Sequence, residues 1–287
     1  MKVLKDTKTL WTVEFDGLAD MVSFIKNTKQ HPEAGRSSER EPASESWDLN
    51  TDMMRSLEIA ESGGNWAEGI DKMADGVAQA AEQRQGIGQE MAHSVQGFAV
   101  DVPTYLAGDP DNMWTMEGQA TTAGAPIITI GIASLNSTTS AAAAANRGIA
   151  AMSLVDVLEE AGHRCEVKIV WDNKSTHGSV HRSCLSVLVK NAGEPWQPGP
   201  CSFMMAHPAA RRRLGFAVNE RGNDASAKVT QSGYGHGRDT VWPDHGVDIG
   251  FDYMLGDSGY GTLTRALATA EKLANKAGFK VKLTATD

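Results

Sequence analysis

The sequence predicts an α/β protein: a mixed, largely parallel sheet flanked by helices, preceded by a mainly helical N-terminal region. Two observations carry this expectation. From about residue 120, short apolar runs alternate with longer segments of helical period, as in successive βαβ units. Helix start and stop signals bracket the helical segments of the chain, among them Asn65, Gly162 and Gly278. No internal repeat and no coiled-coil heptad competes with this reading. The division falls near residue 115, giving a helical and irregular region over 1–115 and an α/β domain over 116–287.

The elements follow in order. TLWTVEFDG alternates like a strand, and LADMVSFIKN is amphipathic. Residues 27–46 are polar, hold Pro32 and Pro42, and have almost nothing to bury, so they read as an exposed loop or linker. A helix starts at Asn65 as cap, with Glu68 as capping-box partner. Trp66, Ile70, Met73, Ala74 and Val77 give that helix one apolar face, and Gly86 and Gly88 end the region. Residues 98–114 form a connector expected to dock through Tyr105, Leu106 and Trp114. A strand over 126–135 leads into a helix from about Ser140 to Ala161, stopped by Gly162. A strand over 165–171 and SCLSVLVKNA are close enough to form a hairpin. A helix over 204–220, a glycine-rich loop GYGHGRDTVWPDHG, a strand VDIGFDYML, a helix over 262–278 and a last strand FKVKLTA complete the chain.

With 41% apolar and 22% charged residues, the composition is that of a globular protein. There is no run of about 18 apolar residues, so a membrane span is not expected. The N-terminus has no uninterrupted apolar segment, and a secretory signal is not expected either. Cys165, Cys184 and Cys201 are widely spaced, odd in number and free of Cys-x-x-Cys, which fits buried thiols in a reducing cytoplasm. The net charge of −9 argues against a wholly basic nucleic-acid binder. The charge is uneven, however: residues 31–75 hold 11 acidic and 4 basic side chains, whereas 164–221 hold 4 acidic and 9 basic. Such a basic region can follow a phosphate backbone locally; chance clustering on a solvated face is the competing explanation.

Three groups of residues bear on chemistry. Asn136, Thr138 and Ser140 stand at the expected carboxyl end of a strand, where α/β proteins bind ligands. They would form a cation site or cap the following helix; Mg²⁺ normally has a carboxylate beside it, and its absence favours the cap. His177, His181, His236 and His245, with Asp239 and Asp244, hold the residue types of a zinc site. His177 and His181 lie in a turn and strand, where a four-residue spacing does not converge, which favours scattered surface histidines. Neither a nucleophile elbow nor a phosphate loop is present. The third group is Arg211, Arg212, Arg213 and Arg221, with Tyr234, His236, Arg238 and Trp242 nearby in the chain. Arginines beside aromatics suit single-stranded nucleic acid, and structural packing of the same residues is the alternative.

The Asn-x-Thr-x-Ser spacing resembles the Asp-x-Ser-x-Ser that opens the metal site of von Willebrand A-type domains. NRGIAAMSLVDVLEEAGHRCEVKIVW is similar to their first helix and second strand. The likeness covers about 125–285 and implies a degenerate A-type domain that binds macromolecules and does not catalyse. SLEIAESGGNWAEGIDKM, VDVPTYLAGDPDNMW and NRGIAAMSLVDVLEEAGHRCEV resemble uncharacterised proteins of tailed bacteriophages. Within lytic phages that carry a virion RNA polymerase, the resemblance implies an early single-stranded DNA-binding protein that works with a phage RNA polymerase in the host cytoplasm. It assigns no individual residue. The leading expectation is thus a non-catalytic, cofactor-free single-stranded DNA-binding protein, with self-association left open. A protein-binding module of A type is second, and a metal-dependent hydrolase using the His/Asp loop is third.

Overall fold

A computed structural model of the chain describes residues 1–35, 37–84, 91–95, 99–116, 126–134, 140–175, 181–231, 236–237, 240, 242–252 and 256–284. In chain order, strands β1 (Lys2–Asp6) and β2 (Leu10–Phe15) lead into helix α1 (Leu18–Asn27). Helices α2 (Glu45–Asp48), α3 (Met53–Glu61) and α4 (Ala67–Arg84) follow. Next come β3 (Met91–Ser94), β4 (Ala99–Val100), α5 (Val102–Leu106) and β5 (Met113–Met116). Strand β6 (Ile127–Ala133) enters α6 (Ala141–Glu160), and the hairpin β7 (Arg164–Lys174) and β8 (Arg182–Lys190) comes after it. Helix α7 (Pro198–Ala206), a π-helical turn over 210–215, α8 (Phe216–Arg221) and α9 (Asp224–Thr230) complete the next segment. The chain ends with β9 (His236–Gly237), a 3-10 turn Trp242–His245, β10 (Ile249–Phe251), α10 (Gly256–Tyr260) and α11 (Leu263–Lys276).

The main sheet has the order β1-β2-β8-β7-β6-β10, with β9 paired to β7 off that path. Strands β2 and β8, β6 and β7, and β6 and β10 run parallel, whereas β1–β2 and β7–β8 are antiparallel. The sheet is therefore mixed and parallel only in part. Strand β2, from the N-terminal region, pairs residue for residue with β8 across the boundary expected near residue 115.

Side chains alternate across a strand, so each strand has two faces. One face carries Trp11, Val13 and Phe15, then Leu185, Val187 and Val189, then Val167, Ile169 and Trp171, then Ile128, Ile130 and Ile132, and it packs on the helices. The register puts Glu14, Lys168, Glu166 and Thr129 on the opposite face. There Lys168 Nζ donates to Glu14 at 3.0 Å, and Thr129 Oγ1 donates to Glu166 at 2.8 Å.

Four of the described helices begin where a side chain satisfies free backbone N–H groups. Asp52, Ser140, Asn223 and Thr262 cap α3, α6, α9 and α11 in this way. Helix α6 is 20 residues long and apolar enough by composition to cross a membrane. It is apolar all round because it lies inside the protein, against β6 and β7 and among α4, α7 and α11. Gly162, at φ 87°, stops it as expected.

Several expectations change. Helix α4 starts at Ala67, and Ile70 N donates to Trp66 O, so Trp66 and not Asn65 occupies the cap position. Ala74 is exposed, and the buried stripe continues through Ala80 instead. The single helix expected over 204–220 breaks at His207, because Pro208 disfavours helical backbone in the residue before it. The last strand is absent over 279–284: the N–H groups of Leu283 and Thr284 donate to the Glu271 carboxylate on α11, not to a strand. The connector does not dock through Tyr105 and Leu106, which are 61% and 78% exposed. Gly86, Gly88 and the Trp114 side chain lie outside the described residues.

Candidate functional site

The described members of the expected nucleic-acid set do not form one surface. Arg213 is buried: its π-helical turn points the guanidinium inward, where it forms an ion pair with the equally buried Asp48. Its nitrogens also donate to the carbonyls of Ser38 (2.7 Å), Glu41 (2.8 Å) and Pro42 (3.1 Å). Arg213 thus cannot meet a phosphate backbone, and it is a correction to the sequence reading. Removing one partner of such a pair leaves a buried charge, at a cost of about 3–5 kcal/mol.

The same contacts explain the polar stretch over 27–46, which is not a free linker. Its backbone groups bond to Arg213, and Ser38 donates through N and Oγ to the buried Glu220 at 2.6 and 3.1 Å. Arg221 is committed as well, to the carbonyls of Ile25 and Thr28 and to Glu39. Arg211 and Arg212 are half-buried, Arg211 lying 5.8 Å from the Phe216 ring centroid. Burial pulls the Arg212 pKa below the ordinary arginine value, against the pull of Asp48.

Trp242 packs on the sheet. Gly131 and Gly250 stand opposite each other on β6 and β10, and the indole covers both. A Cβ on Gly250 would come within 2.2 Å of the ring. Tyr234 and Arg238 lie outside the described residues; the backbone of His236 pairs with Lys174 in β9.

At the strand ends, Ser140 Oγ accepts from Ala143 N at 3.1 Å, which is the helix-cap role. Asn136 and Thr138 lie outside the described residues. In the second turn of α6, Arg147 is 1% exposed, its guanidinium 5.8 Å from the Tyr260 ring. Burial lowers the Arg147 pKa to about 10 and pushes the Tyr260 phenol up to about 12.

A second cluster sits on the other face of the sheet. Asp172 and Cys184 are register partners in the β7–β8 hairpin, and the turn Trp242–His245 brings His245 to them. All three are buried, with ligand atoms within 4.8 Å of one another. Arg182 grips both Asp172 oxygens, Nε donating at 2.8 Å, and its Nη1 lies 3.6 Å from Asp244. Both ring nitrogens of His245 lack hydrogen-bond partners among the described residues. Burial lowers the His245 pKa, and Arg182 and Lys168 push the same way, against Asp172 and Asp244. Of the four histidines considered for zinc, only His245 is placed in this cluster. His177 lies outside the described residues, as does Asp239.

Sequence reasoning missed Asp172, Arg182 and Cys184 because their proximity depends on the hairpin register. A register drawn for that hairpin would have paired Asp172 with Cys184. It also missed five exposed apolar side chains that lie close together in the chain. Strands β3, β5 and β4 form their own small sheet; Val95 follows β3, Val100 lies in β4, and Val102, Tyr105 and Leu106 lie in α5, all exposed.

The sequence matches, over residues 4–272, a family described as Domain of unknown function (DUF7192). No curated protein and no solved structure matches it.

Proposed function

We propose that this chain, which belongs to the DUF7192 family across residues 4–272, is a protein-binding module built on a von Willebrand A-like sheet. The observation that carries the reading is the group of exposed apolar side chains Val95, Val100, Val102, Tyr105 and Leu106. Folded proteins seldom leave several large apolar side chains exposed together unless another molecule covers them. Tyr105 is also of the type that anchors interface hot spots. Strand order supports the A-like part: β7, β6 and β10 are parallel neighbours, β8 is antiparallel beyond them, and β6 enters the long helix α6. The partner is a protein with a complementary apolar face, from phage or host on the resemblance described above.

Single-stranded DNA is the competing ligand. The reading is weaker there because Arg213 and Arg221 are committed inside the protein, leaving Arg211 and Arg212 half-buried. The test uses a Tyr105→Ser/Leu106→Ser double variant, whose changes lie at exposed positions and should leave the circular dichroism unaltered. We expect a specific protein captured by the wild-type chain to be lost by the variant. Capture indifferent to the double substitution would overturn the proposal. So would steep, salt-dependent binding of a labelled single strand, since affinity from phosphate contacts falls with added salt.

A further inference from the structure

We propose that Asp172, Cys184 and His245 form a binding site for a borderline-soft divalent cation of the zinc class, which ties the Trp242–His245 turn to the β7–β8 hairpin. The inference does not depend on the protein-binding role. The donor set is thiolate, imidazole and carboxylate, the three ligand types zinc takes from proteins. Their ligand atoms already lie within 4.8 Å of one another. Around tetrahedral zinc, neighbouring ligand atoms stand roughly 3.5 Å apart, so a contraction of about 1 Å completes the geometry.

His245 is the independent observation. Its ring is 4% exposed, and among the described residues neither nitrogen has a hydrogen-bond partner. Buried polar groups are nearly always satisfied, and one aimed at a thiol and a carboxylate is supplied with a partner by an ion between them. Its neutral form, favoured by burial, presents the lone pair a metal needs.

Arg182 does not close the site. A carboxylate has about four lone-pair positions, and the guanidinium fork uses two of them on Asp172, holding it in orientation as outer partners of metal ligands do. The charges balance when the ion binds. A dication with Arg182 is countered by the Cys184 thiolate, Asp172 and Asp244, the last 3.6 Å from Arg182. Three protein ligands leave a fourth position for water. Cys165 and Cys201 offer no competing site: burial pushes both thiols up to about 12, and no histidine or carboxylate cluster among the described residues includes them.

The test takes the full chain, stripped with a chelator, and titrates it with Zn²⁺ against a chromophoric competitor and separately with Co²⁺. We expect one Zn²⁺ per chain, a higher melting temperature with metal, and a thiolate-to-cobalt charge-transfer band in the near ultraviolet. The band should vanish in Cys184→Ser, and the thermal shift should vanish in His245→Gln. Circular dichroism identifies a variant that fails to fold, in which case the other carries the test. Absence of stoichiometric metal would overturn the proposal, as would a band or thermal shift that persists in the folded variants.

Discussion

At the scale of single residues, burial decides what titrates and what binds. His207 sits against Trp66 and Phe203, with ring centroids 4.6 and 5.3 Å away, and its Nδ1 accepts from Ala209 N. Burial lowers its pKa from 6.5 to about 4, although Asp48 pulls the other way. The unfolded chain therefore binds a proton that the folded chain refuses as pH falls below 6.5. Stability is unaffected by this residue at neutral pH, declines between 6.5 and about 4, and levels off below. The loss amounts to about 3 kcal/mol. His245 acts in the same direction. Chemical denaturation across that range should show a shallower decline for His207→Gln than for wild type, and parallel curves would refute the assignment. Little of this was legible in the sequence, where helical geometry puts the arginines at 211–213 on different faces and allows one to pair with an acid but does not say which. Arg213 alone enters the core, because the Pro208 break and π-helical turn set its direction.

At the scale of elements, start and stop signals were read well where they are local. Strand β6, helix α6 with its Ser140 cap and Gly162 stop, the β7–β8 hairpin and helix α11 lie close to where periodicity put them. The failures come from non-local bonds. Leu283 and Thr284 look like strand residues but donate to Glu271, and the polar stretch after α1 is ordered by Arg213 and Glu220. Trp242 on its glycine pair belongs to the same class. Gly250→Ala would force the whole indole off the sheet, at about 1–3 kcal/mol. That cost should disappear on a Trp242→Ala background, since the clash needs both partners. A double-mutant cycle on melting free energies tests this, and additive effects would count against the packing.

At the scale of the whole molecule, the sheet joins distant parts of the chain: Leu10 is paired with Arg182 and Phe15 with Val187. No window of sequence announces such a partner, which is why the N-terminal region read as separate from the later strands. The same long-range economy governs the strap over 37–48. The Arg40–Glu41 peptide bond is a trypsin site, and Arg40 is exposed. On its two sides, the carbonyls of Ser38 and Glu41 accept from one atom, Arg213 Nη1. A chain nicked there should run as two bands on a denaturing gel and as one peak on a sizing column, whereas the nicked Arg213→Ala protein should come apart or unfold. The β2–β8 pairing and one guanidinium would then do the work of a covalent linker, making this strap a place to divide the protein into two genes whose products reassemble.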